Sequence, residues 1–165
     1  MQMHINRIAA PVKVDVIASM SEKVIPSDAV TQAWIGIMRA QQKLLQAIET
    51  DLKKAGMPPL GWYDVLWELV RAQDGRLRPF EIEERTLLAQ YNLSRLIDRL
   101  EREGLVTRET FADDGRGRRV AVTDSGRALR ERMWAVYANA IDRHVGSKLD
   151  DASAGAISGL LKRFG

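Results

Sequence analysis

Residues 90–104 read QYNLSRLIDRLEREG, and residues 114–123 read DGRGRRVAVT. The first stretch has helical periodicity. Leu93, Leu96, Ile97 and Leu100 share one face; Tyr91, Arg95, Asp98 and Arg102 share the opposite one, with Ser94 and Arg99 on the flanks. Gly104 is a natural residue to follow the last helical turn. In the second stretch, the run from Asp113 to Gly117 is turn chemistry and Arg119–Val122 reads as a strand. Leu105–Thr110 reads as the strand before it, so the two form a hairpin. An arginine-bearing helix therefore leads directly into an arginine-tipped hairpin.

Working upstream, Pro79 opens a short helix packed by Phe80, Ile82 and Leu87. A helix starting at Gly61-Trp62-Tyr63-Asp64 precedes it, with Leu66, Leu69 and Val70 inward. Three helices and a hairpin make a winged helix-turn-helix over residues 59–123. In that motif the second helix of the pair, here 89–103, enters the major groove, and the first, here 80–86, crosses the backbone. Long apolar stripes flank this unit. Val30, Trp34, Ile37, Met38, Leu44, Leu45, Ile48 and Leu52 lie on a helix over about 28–54, with Ser27 and Asp28 as candidate caps. Thr123 caps a helix over about 124–146, and Asp150 and Asp151 start a last one carrying Ile157, Leu160, Leu161 and Phe164. The expected class is mainly α with a small β-hairpin. Residues 28–58 and 124–165 form helical flanks that carry more apolar surface than a small winged helix can cover. Residues 1–27 read as an arm with room for a short helix.

Composition narrows the function classes. The 165 residues hold no cysteine and only two histidines, His4 and His144. Disulfides and thiol-oxidation sensing are excluded, and a metal site is not expected. No run approaches the ~20 apolar residues of a membrane span, so the expected setting is cytoplasmic with no membrane partner. Neither a nucleophile–base–acid set nor a glycine-rich phosphate loop stands out, so neither an enzyme nor a cofactor is expected.

Net charge is only +3, so placement matters more than the total. Gln90, Tyr91, Ser94, Arg95 and Arg99 can hydrogen-bond to base edges or phosphates from a helix packed on its other face. Arg116, Arg118 and Arg119 lie at the hairpin, where a guanidinium can enter a narrow minor groove. Double-stranded DNA is the expected partner. From 90 to 119, however, seven arginines face six acids. Those acids either hold arginines in place or cancel the field. A winged helix used only for protein contacts is therefore the alternative.

The run LSRLIDRLEREG at 93–104, followed by LVTRE, DGRGRRVAVT and DSGRAL, resembles the MarR (multiple antibiotic resistance regulator) family of bacterial transcriptional regulators. Ser94-Arg95-Leu96-Ile97-Asp98-Arg99-Leu100 matches the family's recognition helix. Asp114, Arg116, Val120, Val122 and Thr123 match its wing, with Val122 where leucine is commoner. The run from Gly61 to Leu66 resembles the helix before the helix-turn-helix. The resemblance implies a homodimer built on the first and last helices, reading a pseudo-palindromic operator. It implies that Arg116 is the minor-groove arginine, steadied by Asp114. It also implies a repressor released by a small molecule held between the dimer helices and the winged lobe, where Trp34, Trp62, Tyr63, Asp64 and Trp67 would fall. For Trp34 and Trp67 plain core packing is the competing reading, and for Asp64 it is a helix N-terminal acid.

Overall fold

The structure is a computed structural model, and it describes residues 25–86, 90–110 and 118–164. Residues 1–24, 87–89 and 111–117, with Asp114 and Arg116, lie outside the described residues, as do the side chains of Gln90 and Tyr91.

The first helix, α1, spans Asp28–Lys54. The chain divides into two units within it, at Gly36. In the first unit the Ser27 hydroxyl accepts the Val30 N–H at 3.3 Å, the cap expected from sequence. In the second unit α1 continues to Lys54 and buries Ile48 and Leu52. The remaining described elements are α2 (Leu60–Arg71), β1 (Arg76–Leu77), α3 (Pro79–Arg85), α4 (Gln90–Arg102), β2 (Val106–Thr110), β3 (Arg118–Val122), α5 (Asp124–His144) and α6 (Asp151–Leu161).

Two features join these helices. Glu49 on α1 accepts the otherwise orphaned Leu60 N–H of α2 at 3.0 Å. Asp51, also on α1, accepts from His144 at 2.8 Å and Arg143 at 3.1 Å at the end of α5. The His144 hydrogen bond, with help from Arg143, holds the Asp51 carboxyl below its ordinary range.

The sheet corrects one sequence expectation. It has three antiparallel strands in the order β1-β3-β2, not two. In β1, Arg76 pairs with Ala121 and Leu77 with Val120. A two-residue strand has no alternation to reveal it, which is why the sequence reading passed over it. The hairpin itself is in the expected place, with Val106 opposite Val122 and Glu109 opposite Arg119.

One core ties helices to sheet. Val65, Leu66 and Leu69 of α2, Ile82 of α3, Ile97 and Leu100 of α4, Val106, Val120, and Met133 of α5 are all at most 2% exposed. By contrast α6 buries nothing. Ile157, Leu160, Leu161 and Phe164 are 43–78% exposed, as are Ile37, Met38 and Leu45 of α1 at 39–43%. The stripes read from sequence exist, and one copy of the chain leaves much of them uncovered.

Candidate nucleic-acid interface

Helix α4 is fixed from three directions. Leu93, Ile97 and Leu100 anchor its inner face in the core. At its end Gly104 takes φ +70°, and the Leu105 N–H returns to the Leu100 carbonyl at 2.9 Å. The Thr123 hydroxyl then donates to the Gly104 carbonyl at 2.7 Å and accepts the Gly126 N–H at 3.1 Å. The cap of α5 is thus also the lock on the end of α4.

The third tether is Arg108 of β2. Its backbone N–H donates to Glu101 Oε1 at 3.1 Å. Its guanidinium donates from Nη1 to Glu101 Oε2 and from Nη2 to Asp98 Oδ1. Glu101 and Asp98 are one turn apart on α4, so one planar fork spans both. Sequence reasoning missed Arg108. The signal was there: Arg108 shares strand parity with the core residue Val106, which turns it toward α4, where two acids stand at i and i+3.

That arrangement settles which arginines the acids hold. Asp98 and Glu101 are taken by Arg108. Ser94, Arg95 and Arg99 are exposed on α4. Among the described residues Arg95 and Arg99 have no hydrogen-bond or ion-pair partner. Arg118, exposed at the start of β3, has none either. It lines a groove of about 840 Å³ together with Phe80, Ser94, Asp98 and Arg108. Arg119 is different. Its strand parity is opposite to that of Arg118, and its Nη1 lies 3.6 Å from Asp74 Oδ2 in the turn after α2.

Trp34 lies in the first unit and is 62% exposed. Trp62 and Trp67 are partly buried against the core. Trp67 stacks on Tyr63 with centroids 6.2 Å apart, and Tyr63 also meets Trp134 at 6.1 Å and Tyr137 at 5.2 Å. The Arg71 and Arg130 guanidiniums lie 5.6 and 5.2 Å from the Trp67 ring centroid, a cation–π arrangement. Asp64 is half-buried and has no hydrogen-bond partner among the described residues. Burial, then the negative charges of Glu49 and Glu68, push its carboxyl up to about 6. Among the described residues no group of three or more His, Asp or Glu is placed to hold a metal, and no helix is long and apolar enough to cross a membrane.

A helix pair whose second member is solvent-facing and cationic, followed by a paired hairpin, defines a winged helix-turn-helix protein. Residues 55–117 match the model of the MarR family. The chain is 32% identical over 102 residues to the HTH-type transcriptional repressor YetL of Bacillus subtilis, covering 62% of this chain and 60% of that relative. It superposes on a Streptomyces coelicolor MarR family regulator, Sco3205 in complex with DNA, with TM-score 0.76 and 24% identity, over 87% of this chain and 90% of that one. It also superposes on Bordetella bronchiseptica BpsR, from a study of how 6-hydroxynicotinic acid regulates that protein's DNA binding. There the TM-score is 0.72 with 23% identity, over 85% and 97% of the two chains. Over residues 55–117 the chain is thus similar to MarR family regulators, and it spans less than two thirds of the length of YetL.

Proposed function

We propose that this chain is a cytoplasmic transcriptional regulator, not a catalyst, that binds double-stranded DNA sequence-specifically as a homodimer. In this reading α4 enters the major groove. Ser94, Arg95 and Arg99 meet bases and phosphates there, with Gln90 and Tyr91 at its first turn. Arg118, and Arg116 steadied by Asp114, serve the minor groove alongside. The observation that carries it is the uncommitted charge on α4. Two of its acids are engaged by Arg108, while Arg95 and Arg99 have no partner among the described residues. A protein-contact module has no need to keep guanidiniums unpaired beside acids that are held elsewhere.

The exposed apolar residues of α1 and α6 support the dimer, since large apolar side chains left uncovered by one copy suit an interface. Repression and release by a small-molecule effector follow the roles named for YetL and BpsR. Trp34, Trp62, Asp64 and Trp67 are the residues proposed to meet that effector. The test is a gel-shift with the chain's own upstream DNA against an unrelated duplex of equal length, using wild type and Arg116→Ala. Selective binding weakened by the substitution supports the reading. Equal binding to both duplexes, or no binding at low salt, removes it.

A further inference from the structure

Arg119 stands apart from the set around α4, and its surroundings suggest a second site. A cleft of about 660 Å³ opens where the end of α2, the turn after it, β1, α3 and β3 meet. That volume is in the range of small-ligand sites. Four arginines line it: Arg71, Arg76, Arg85 and Arg119. Two acids, Asp74 and Glu81, share the lining.

Both acids are already engaged by the backbone. Asp74 Oδ1 accepts the Arg76 N–H at 3.1 Å, closing the turn, and Glu81 Oε2 accepts the Arg78 N–H at 2.6 Å, closing the first turn of α3. Asp74 Oδ2 also lies 3.6 Å from Arg119 Nη1. Arg76 and Arg85 retain more donors than these acids can absorb. Each guanidinium carries five N–H groups. Arg76 uses Nε on Glu109 Oε2 at 2.7 Å and Nη1 on the Asp74 carbonyl at 3.0 Å, which fixes the fork and leaves Nη2 without a partner among the described residues. Arg85 has no partner among the described residues. A guanidinium immobilised by its own protein, beside Arg85 with its spare donors, is pre-organised for an oxyanion, because the ordering cost is already met.

We infer that this cleft binds an oxyanion, a phosphate or carboxylate, through Arg76, Arg85 and Arg119. The inference goes beyond DNA reading by α4. The same chemistry has two sources, a free small acid or a backbone phosphate of bound duplex. Binding would draw on guanidiniums that brace β1 to β2 through Glu109 and the α2 turn to β3 through Asp74, so it reaches the base of the wing.

The test uses the full chain, ¹⁵N-labelled, with orthophosphate titrated at constant ionic strength while the arginine Nε–Hε signals are followed. Saturable shifts are expected at Arg76, Arg85 and Arg119. Arg85→Gln and Arg119→Gln should each weaken the apparent affinity tenfold or more, with backbone spectra confirming the fold. If orthophosphate gives no saturation but each substitution lowers the salt slope of DNA binding by about one, the oxyanion is a DNA phosphate. Neither response, or saturation that the substitutions leave unchanged, overturns the inference. The orthophosphate arm needs no DNA, so its result stands apart from the fate of the α4 reading.

Discussion

Arg108 and Glu101 are joined twice: the Arg108 backbone N–H meets one carboxylate oxygen at 3.1 Å, and its guanidinium meets the other. Through the same guanidinium Arg108 also holds Asp98. Strand β2 is therefore tied to α4 at three points. Replacing Arg108 by Gln exposes two carboxylates on the face proposed to meet DNA. We expect DNA affinity to fall about tenfold, or ~1.4 kcal/mol, with a stability loss of roughly 1–2 kcal/mol because the pair is only partly shielded. Arg108→Lys keeps the charge but not the fork, so it should recover part of the affinity. Parallel DNA titration and thermal melting check this. A stability loss with no change in affinity would leave Arg108 a purely structural role.

Among the described glycines, Gly126 has the tightest surroundings. A Cβ built there meets the Leu105 carbonyl oxygen at 2.2 Å and Val122 Cγ2 at 2.9 Å. A backbone carbonyl cannot swing aside as a flexible side chain can. Gly126→Ala is expected to cost about 1–3 kcal/mol, read as a lower midpoint in urea. An unchanged midpoint would mean that α5 can slide off the end of α4 freely.

Asp64 gives stability a pH signature. Its folded carboxyl titrates at about 6 against an ordinary 3.8. The native state therefore binds more protons than the unfolded chain between those values, and stability falls as pH rises through that window. The Asp64 contribution is fully present below 3.8 and is lost above about 6. The shift caps the effect at about 3 kcal/mol, and solvent screening reduces it to roughly 1–2. Asp64→Asn should accordingly be more stable than wild type at pH 8, with the difference vanishing near pH 4. Denaturant midpoints across pH measure this, and a constant difference would remove the assignment.

The exposed face of α6 should matter only to assembly. Leu160 is 53% exposed and belongs to no core. Leu160→Glu is expected to leave the helical content unchanged and to shift the sedimentation profile from dimer to monomer. A dimer that persists at wild-type concentration dependence would place the interface elsewhere.

Much of this architecture was legible because its signals are local. The periodicity of α4, the Thr123 cap and the Gly104 terminus each rest on residues within a few positions of one another, and each is found in place. The third strand was not legible, since Arg76 and Leu77 become a strand only by pairing with residues over forty positions away. The division of labour among arginines was hidden for the same reason. Arg108 is ten residues from Asp98, and nothing along the chain says that it, and not Arg95, Arg99 or Arg102, takes that carboxylate. Nor does the run Arg118-Arg119 announce that its two members face opposite sides of the sheet. Their side-chain placement had to come from the pairing register.

Arg95 and Arg99 of α4, which have no partner among the described residues, are the groups proposed to meet DNA. The most direct measurement is fluorescence anisotropy of a duplex from the chain's own upstream region, across a salt series, for wild type, Arg95→Ala and Arg99→Ala. Wild-type affinity should fall steeply and linearly in log–log form with salt. A substitution at a base-contacting arginine should cost about 1–3 kcal/mol and relax sequence preference, and one at a phosphate-contacting arginine should lower the slope by about one. Wild-type affinity, preference and slope in both variants would contradict the account.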